Sequence, residues 1–199
     1  MSARTGIRIA RWLFTVIGLA ALGYCAAVWI GAMLFQMRQA RLFAQEAQVR
    51  TIRGASHERR PAEPVPPDGG VVGKLEIPRI GVSVIVVEGV KDRDLRYAVG
   101  HIPGTPLPGE IGNVGLAGHR DTFFRPLRAI HRNDTITLST PTKSYRYLVV
   151  SAKVVSPDDV QVLYPTGRDS LTLVTCFPFN YVGSAPLRFI VLADRLPDA

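Results

Sequence analysis

The sequence predicts a mainly β domain, a barrel or a sandwich, carried behind a single amino-terminal apolar helix. Three observations predict it. From Leu13 to Phe35 no side chain is charged, and Leu, Ile, Val, Ala, Phe and Gly dominate. From Val71 to Leu196 the chain reads as short β-rich runs separated by Gly, Pro, Asn and Asp signals. Between the two, a polar stretch ends in a run dense in proline.

Residues 1–11 form a short basic tail, and 12–35 a transmembrane helix, because about 20 apolar residues suffice to cross the hydrocarbon layer. Trp12 and Trp29 lie towards its ends, where interfacial aromatics belong. A cleavable signal peptide has an apolar core of roughly 7–15 residues, which this run exceeds. Arg4, Arg8 and Arg11 precede the span without an acidic neighbour, whereas Arg38 and Arg41 follow it more sparsely. That asymmetry predicts a cytoplasmic amino terminus and an extracytoplasmic domain. Residues 36–70 are a stalk and linker: Gln36–Gln48 continues the helix, and Pro61–Gly70 is an extended, semi-rigid spacer that holds the domain off the bilayer.

Residues 71–196 are one domain's worth of chain. Candidate strands are Gly73–Ile77, Val82–Val87, Asn113–Ala117, Thr135–Ser139, Tyr145–Val155, Leu171–Cys176 and Leu187–Ala193. Asp121–Ile130 suits a short helix or turn, with Phe124, Leu127 and Ile130 as its apolar positions, and Val90–Tyr97 another turn. Many short strands with one or two small helices point to a barrel or sandwich, and a closed barrel removes exposed edges.

The composition narrows the partners. A formal charge of +8 admits a nucleic-acid partner, but the basic residues are scattered and no recognition motif accompanies them. No nucleic acid is expected; attraction to an anionic membrane or wall surface accounts for the charge. Of the 2 cysteines, Cys25 lies in the apolar span and Cys176 near the far end, so they cannot bridge. Cys176 is a free thiol in an exported domain, where an unpaired cysteine needs a reason.

Leu171–Cys176 alternates as a strand, with Leu171, Leu173 and Thr175 on one face and Thr172, Val174 and Cys176 on the other. Phe177-Pro178 then forces the chain out of the ladder. Cys176 is therefore expected at a strand end, at the mouth of whatever the sheet encloses. Gly118-His119 ends another strand, where the glycine permits a sharp turn and leaves room beside the ring. Of the 4 histidines, His57 falls in the linker, and His101 and His131 lie in turn-like surroundings. His119 is preferred because a strand end can present it to a neighbouring strand end. Arg188 opens the last strand, close enough in sequence to Cys176 for the two strands to be antiparallel neighbours. Taken singly, each has an ordinary reading: a buried thiol, a surface imidazole, a solvated arginine.

Together they resemble the sortase family of cysteine transpeptidases. Thr172-Leu173-Val174-Thr175-Cys176 matches its Thr-Leu-x-Thr-Cys strand end, Gly118-His119 its upstream Gly-His, and Arg188 its downstream strand arginine. Gly100–Glu110 and Ala185–Arg188 are similar to the corresponding class D segments. The resemblance implies a closed eight-stranded barrel in which Cys176 attacks an LPxTG-like sorting motif. His119 then protonates the leaving amine and deprotonates the incoming one, while Arg188 steadies the oxyanion or the motif backbone. The implied partners are secreted proteins with a carboxy-terminal sorting motif and an amine acceptor on the cell wall or another protein. Thr175 is a candidate substrate-binding residue or a plain strand threonine. Phe177, Phe179, Tyr181 and Val182 either line a groove for the motif or close the barrel end.

No cofactor is expected, and no metal: Glu88, Asp92, Asp94 and Asp121 are dispersed, whereas calcium needs convergent oxygens. An L,D-transpeptidase would carry a Ser-x-Gly-Cys-x-Arg pattern, which Cys176 lacks. A thiol–disulfide enzyme would pair its cysteines. The remaining alternative is a non-catalytic β-barrel binding domain displayed on the membrane.

Overall fold

The computed structural model describes residues 3–52 and 65–197. The first part of the predicted spacer, Pro61–Pro64, lies outside the described residues, as do residues 53–60 of the linker. The chain opens with a long helix, α1 (Ala3–Ile52), whose section Ile7–Leu42 is long and apolar enough to cross a membrane. At 1.5 Å per residue those 36 residues measure about 54 Å, against about 30 Å of hydrocarbon. The apolar helix is longer than one crossing needs.

Among the described residues, eight strands close a barrel in the order β1-β2-β3-β4-β7-β8-β6-β5. They are β1 (Val71–Ile77), β2 (Val82–Glu88), β3 (Val99–His101), β4 (Asn113–Ala117), β5 (Thr135–Ser139), β6 (Ser144–Val155), β7 (Ser170–Phe177) and β8 (Leu187–Arg195). Every expected strand is present. The unforeseen one is β3, a three-residue strand too short to show alternation. The short helix α2 (Asp92–Leu95) fills the turn expected at Val90–Tyr97, and a 3-10 turn at Arg125–Ala129 fills the one at Asp121–Ile130.

Closure is made by β1 against β5, where Lys74, Leu75 and Glu76 pair with Ser139, Leu138 and Thr137. A side chain at Gly73 would sit 2.3 Å from the Ser139 carbonyl oxygen, so only glycine allows this approach. Inside, Leu75, Ile77, Val84, Val86, Leu116, Ile136, Leu138, Leu171, Leu173 and Val191 form the core. Arg79 pairs with Asp134 and fastens the turn after β1 to the turn before β5. The Arg79 hydrogen bond outweighs burial and, helped by the His131 N–H, holds the Asp134 carboxyl below the usual carboxylate range.

The barrel also has a covered outer face. Val82, Val84 and Val86 of β2 point inward, but Ile85 and Val87 point out and are 1% and 2% exposed. With Ala98 they pack against Phe35 and Ala40 of α1. Gln36 completes the contact. β3 pairs with β2 only from Val86 onward, and Gln36 Oε1 accepts the Ile85 N–H at 2.8 Å while Nε2 donates to the Tyr97 carbonyl at 2.6 Å. One side-chain amide thus continues the ladder where the strand stops. Phe35 is the last residue of the predicted span, so the barrel meets the helix near that end.

Gln36→Ala leaves a buried N–H without its partner and loosens the cover over Ile85. The unfolding midpoint of the detergent-solubilised full chain should fall by about 3–8 °C, from about 1–2 kcal/mol of lost hydrogen bonding. An unchanged midpoint in circular-dichroism melts would mean that the docked helix contributes nothing to the barrel.

Candidate active site

Three neighbouring strands meet at one end of the barrel. β4 runs parallel to β7 with Leu116 opposite Leu173 and Ala117 opposite Val174. The ladder ends at Ala117, Gly118 stays against β7 through Thr175, and His119 follows at the end of β4 that neighbours the Cys176 end of β7. The Gly118 N–H donates to the Val174 carbonyl at 3.1 Å, which keeps the pairing to this point. β8 runs antiparallel to β7, with Cys176 directly opposite Arg188. His119, Cys176 and Arg188 therefore form a row of three adjacent strand ends, with Cys176 and Arg188 paired across one strand spacing of about 4.8 Å.

The row lies outside the barrel. Leu171 and Leu173 point into the core and Thr175 shares their face, so alternation turns Thr172, Val174 and Cys176 outward. Arg188 shares that outer face as the register partner of Cys176. The expectation of a thiol at the barrel's mouth is corrected in this respect: the mouth is closed. Phe177, Phe179 and Phe189 cluster there, with ring centroids 5.2–6.3 Å apart, and Phe179 and Phe189 pack onto the core. Tyr181 and Val182 instead stand exposed on the loop between β7 and β8. Of the two readings, closing the barrel end holds for Phe177 and Phe179.

Thr175 is 2% exposed, and its hydroxyl donates to the Gly118 carbonyl at 2.7 Å. It ties the strand bearing Cys176 to the residue before His119. The His119 carbonyl in turn accepts the Phe124 N–H at 3.1 Å. Gly118 has an ordinary backbone conformation, so its value is not the sharp turn expected of it. A side chain there would lie 2.8 Å from the Phe124 ring, which is wholly buried. Glycine lets Phe124 pack under the strand end. Gly118→Ala must push that ring aside at a cost of about 1–3 kcal/mol and displace His119 with it. A displacement of this kind should lower peptide turnover by about 10- to 100-fold in steady-state assays; turnover within about threefold would show that Phe124 yields without moving His119.

Arg188 donates from Nη1 to the carbonyls of Ala185 and Leu187 at 3.2 and 3.0 Å, and Nε and Nη2 make no hydrogen bond among the described residues. The other histidines have different places. His101 is 2% exposed, with Nδ1 2.7 Å from Glu88 Oε2 and Nε2 3.0 Å from the Pro106 carbonyl oxygen. Its partner in register is Leu116, whose side chain points inward, so His101 is on the sheet face away from Cys176. His131 is exposed in the turn before β5 and gives its N–H to Asp134. His57 lies outside the described residues.

Sequence reasoning missed a supporting pair. Thr172 and Asn113, both fully buried on the outer face, join at 2.8 Å, and Asn113 Nδ2 donates to the Val162 and Tyr164 carbonyls. They hold the loop between β6 and β7 over the outer face of the sheet that carries the row. Polar residues inside apolar strands were the signal, since buried polar groups require partners.

The sortase domain model matches residues 75–196. Sortase D of Bacillus subtilis is 34% identical over 163 residues, 80% of this chain and 82% of the relative. Among solved structures, the Clostridium perfringens sortase D5 transpeptidase aligns over 82% of this chain and 96% of its own, with a TM-score of 0.64 and 26% identity. Sortase A from Corynebacterium diphtheriae aligns over 65% of this chain and 62% of its own, with a TM-score of 0.60 and 28% identity. A domain match across most of the barrel, a relative of similar length and a shared barrel agree on one assignment: the chain belongs to the sortase family of cysteine transpeptidases.

Proposed function

We propose that the chain is a membrane-anchored transpeptidase that cleaves an LPxTG-like sorting motif of secreted proteins and passes the acyl group to an amine. The row of His119, Cys176 and Arg188 carries this reading. Cysteine attacks as the thiolate. The Cys176 sulfur adds to the carbonyl carbon of the motif's scissile peptide bond, and the carbonyl oxygen takes the negative charge. On one side Arg188 offers fixed donors to that oxygen or to the motif's backbone. On the other, His119 gives a proton to the departing amine as the C–N bond breaks, leaving a thioester. An acceptor amine on the wall or another protein then attacks, gives its proton to His119 and expels the Cys176 thiolate. With water as acceptor, the same thioester makes the chain a cysteine peptidase. Thr175 supports the substrate site from beneath, through Gly118.

The Arg4, Arg8 and Arg11 flank supports a cytoplasmic amino terminus and an extracytoplasmic barrel. Because Phe35 and Gln36 touch the barrel at the end of the apolar run, the catalytic domain works at the bilayer surface. Such a position suits substrates that are themselves held in the membrane.

The test is to incubate the full chain, in detergent micelles, with a library of LPxTG-type peptides and an amine acceptor. Mass spectrometry should find an acyl adduct on Cys176 and an amine-capped product. Absence of both across the library would leave a barrel that binds without turnover.

A further inference from the structure

Arg120 follows His119 directly, and its side chain reaches the loop between β7 and β8. Nη2 donates to the Tyr181 carbonyl at 2.7 Å and to the Gly183 carbonyl at 2.9 Å, and the guanidinium lies 5.8 Å from the centre of the Tyr181 ring. The bonds to the loop are solvent-exposed, whereas Nη1 is buried without a partner among the described residues. A surface arginine would keep that nitrogen in water, since an unmatched buried donor is costly.

We propose that Arg120 is a positioning residue that locks the His119 turn to the loop between β7 and β8. Imidazole and loop then move as one body over Cys176. The base of this clasp is rigid: Gly118 is held by Val174 and Thr175, and the His119 carbonyl by Phe124. Its other end needs holding. The loop is anchored at its start by Phe179 in the barrel plug and at its end by Arg188 on Ala185. Between them, Tyr181 is 47% and Val182 96% exposed, so apolar burial does little to fix the middle. Among the described residues, the hydrogen bonds reaching the Tyr181 and Gly183 carbonyls from outside the loop come from Arg120. Both are charge-assisted, the stronger kind. An extended peptide lying across His119, Cys176 and Arg188 meets this loop, so ordering it in advance removes a cost of binding.

The proposal rests on reading His119 and Cys176 as the reacting pair, and two independent measurements separate it from that reading. The first is hydrogen exchange by mass spectrometry on the full chain in detergent, without substrate. In Arg120→Ala, amides of residues 178–186 should exchange about tenfold faster, with β1, β2, β5 and β6 unchanged. The second is steady-state kinetics on the peptide. KM should rise about tenfold with kcat within about threefold, and alkylation of Cys176 by iodoacetamide should keep its rate. Arg120→Lys, which retains the charge and stem, should recover part of both effects. Loop exchange and KM both within about twofold of the parent would overturn the clasp. A fall in kcat at constant KM would overturn it too, by giving Arg120 a part in the chemistry. If Arg120→Ala does not fold, Arg120→Gln is judged by the same criteria. If the parent turns over no peptide, the catalytic reading fails while the exchange experiment still decides the clasp.

Discussion

Replacing Cys176 with alanine is expected to remove both the acyl adduct and the transpeptidation product while leaving the barrel folded. Each half follows from where the residue lies. The thiol is on the outer face, partly exposed, and is not among the residues that build the core. Trimming it opens no cavity inside the barrel, so the melting curve should stay within about 2 °C of the parent. The chemistry, in contrast, has no substitute. His119 and Arg188 can polarise a peptide carbonyl, but without the sulfur no covalent intermediate divides the reaction into two easier steps. Product should fall by at least about 1000-fold. The control is internal, because Cys25 remains. It is exposed on α1 within the apolar run, far in sequence from the row. An adduct surviving in Cys176→Ala and mapped to Cys25 would sink the proposed mechanism; an adduct confined to Cys176 in the parent supports it.

How much of this was legible in the sequence depends on the range of the interaction. Alternation along Leu171–Cys176 assigns the faces of β7 correctly, because side-chain direction in a strand is local. Which face is inside is not local. Only closure of the sheet shows that Leu171 and Leu173 look into the core and Cys176 away from it. The pairing of β4 with β7 is likewise invisible in the chain, since they lie in parallel with β5 and β6 between them in sequence. Motif order stood in for that pairing, and it named three residues without saying how their strands meet. The covered outer face was legible and went unread. The run Val82-Ser83-Val84-Ile85-Val86-Val87 is too apolar for a strand with one wet side, which signals cover on both. The cover is α1. Arg120 could not have been found this way, because its acceptors are backbone carbonyls 61 and 63 residues away, and carbonyls carry no sequence signature.

Arg188 should separate two functions that its position combines. Its Nη1 holds the Ala185 and Leu187 carbonyls, whereas Nε and Nη2 make no hydrogen bond among the described residues, and the residue itself is opposite Cys176 in register. If the chief duty is to stabilise charge on the tetrahedral oxygen, the interaction is stronger in the transition state than with the bound peptide. Losing it then lowers kcat and kcat/KM together. Arg188→Ala should cost about 100- to 1000-fold in kcat with KM changed by less than about threefold, the size seen when a fixed oxyanion donor is removed. Arg188→Lys should recover little of this. An ammonium is a point charge with no planar fork, so it cannot grip the loop carbonyls and present donors to the oxyanion in the same geometry. A holding role alone predicts a different pattern, with KM rising, kcat intact and lysine sufficient, as expected for Arg120 on the opposite side of the loop. The two arginines grip the same loop, from the His119 side and from the β8 side, and differ in that Arg188 is paired in register with Cys176. Rapid-quench measurement of the acylation step isolates that difference: Arg188→Ala should slow acylation itself, and a normal acylation rate would confine Arg188 to holding the loop.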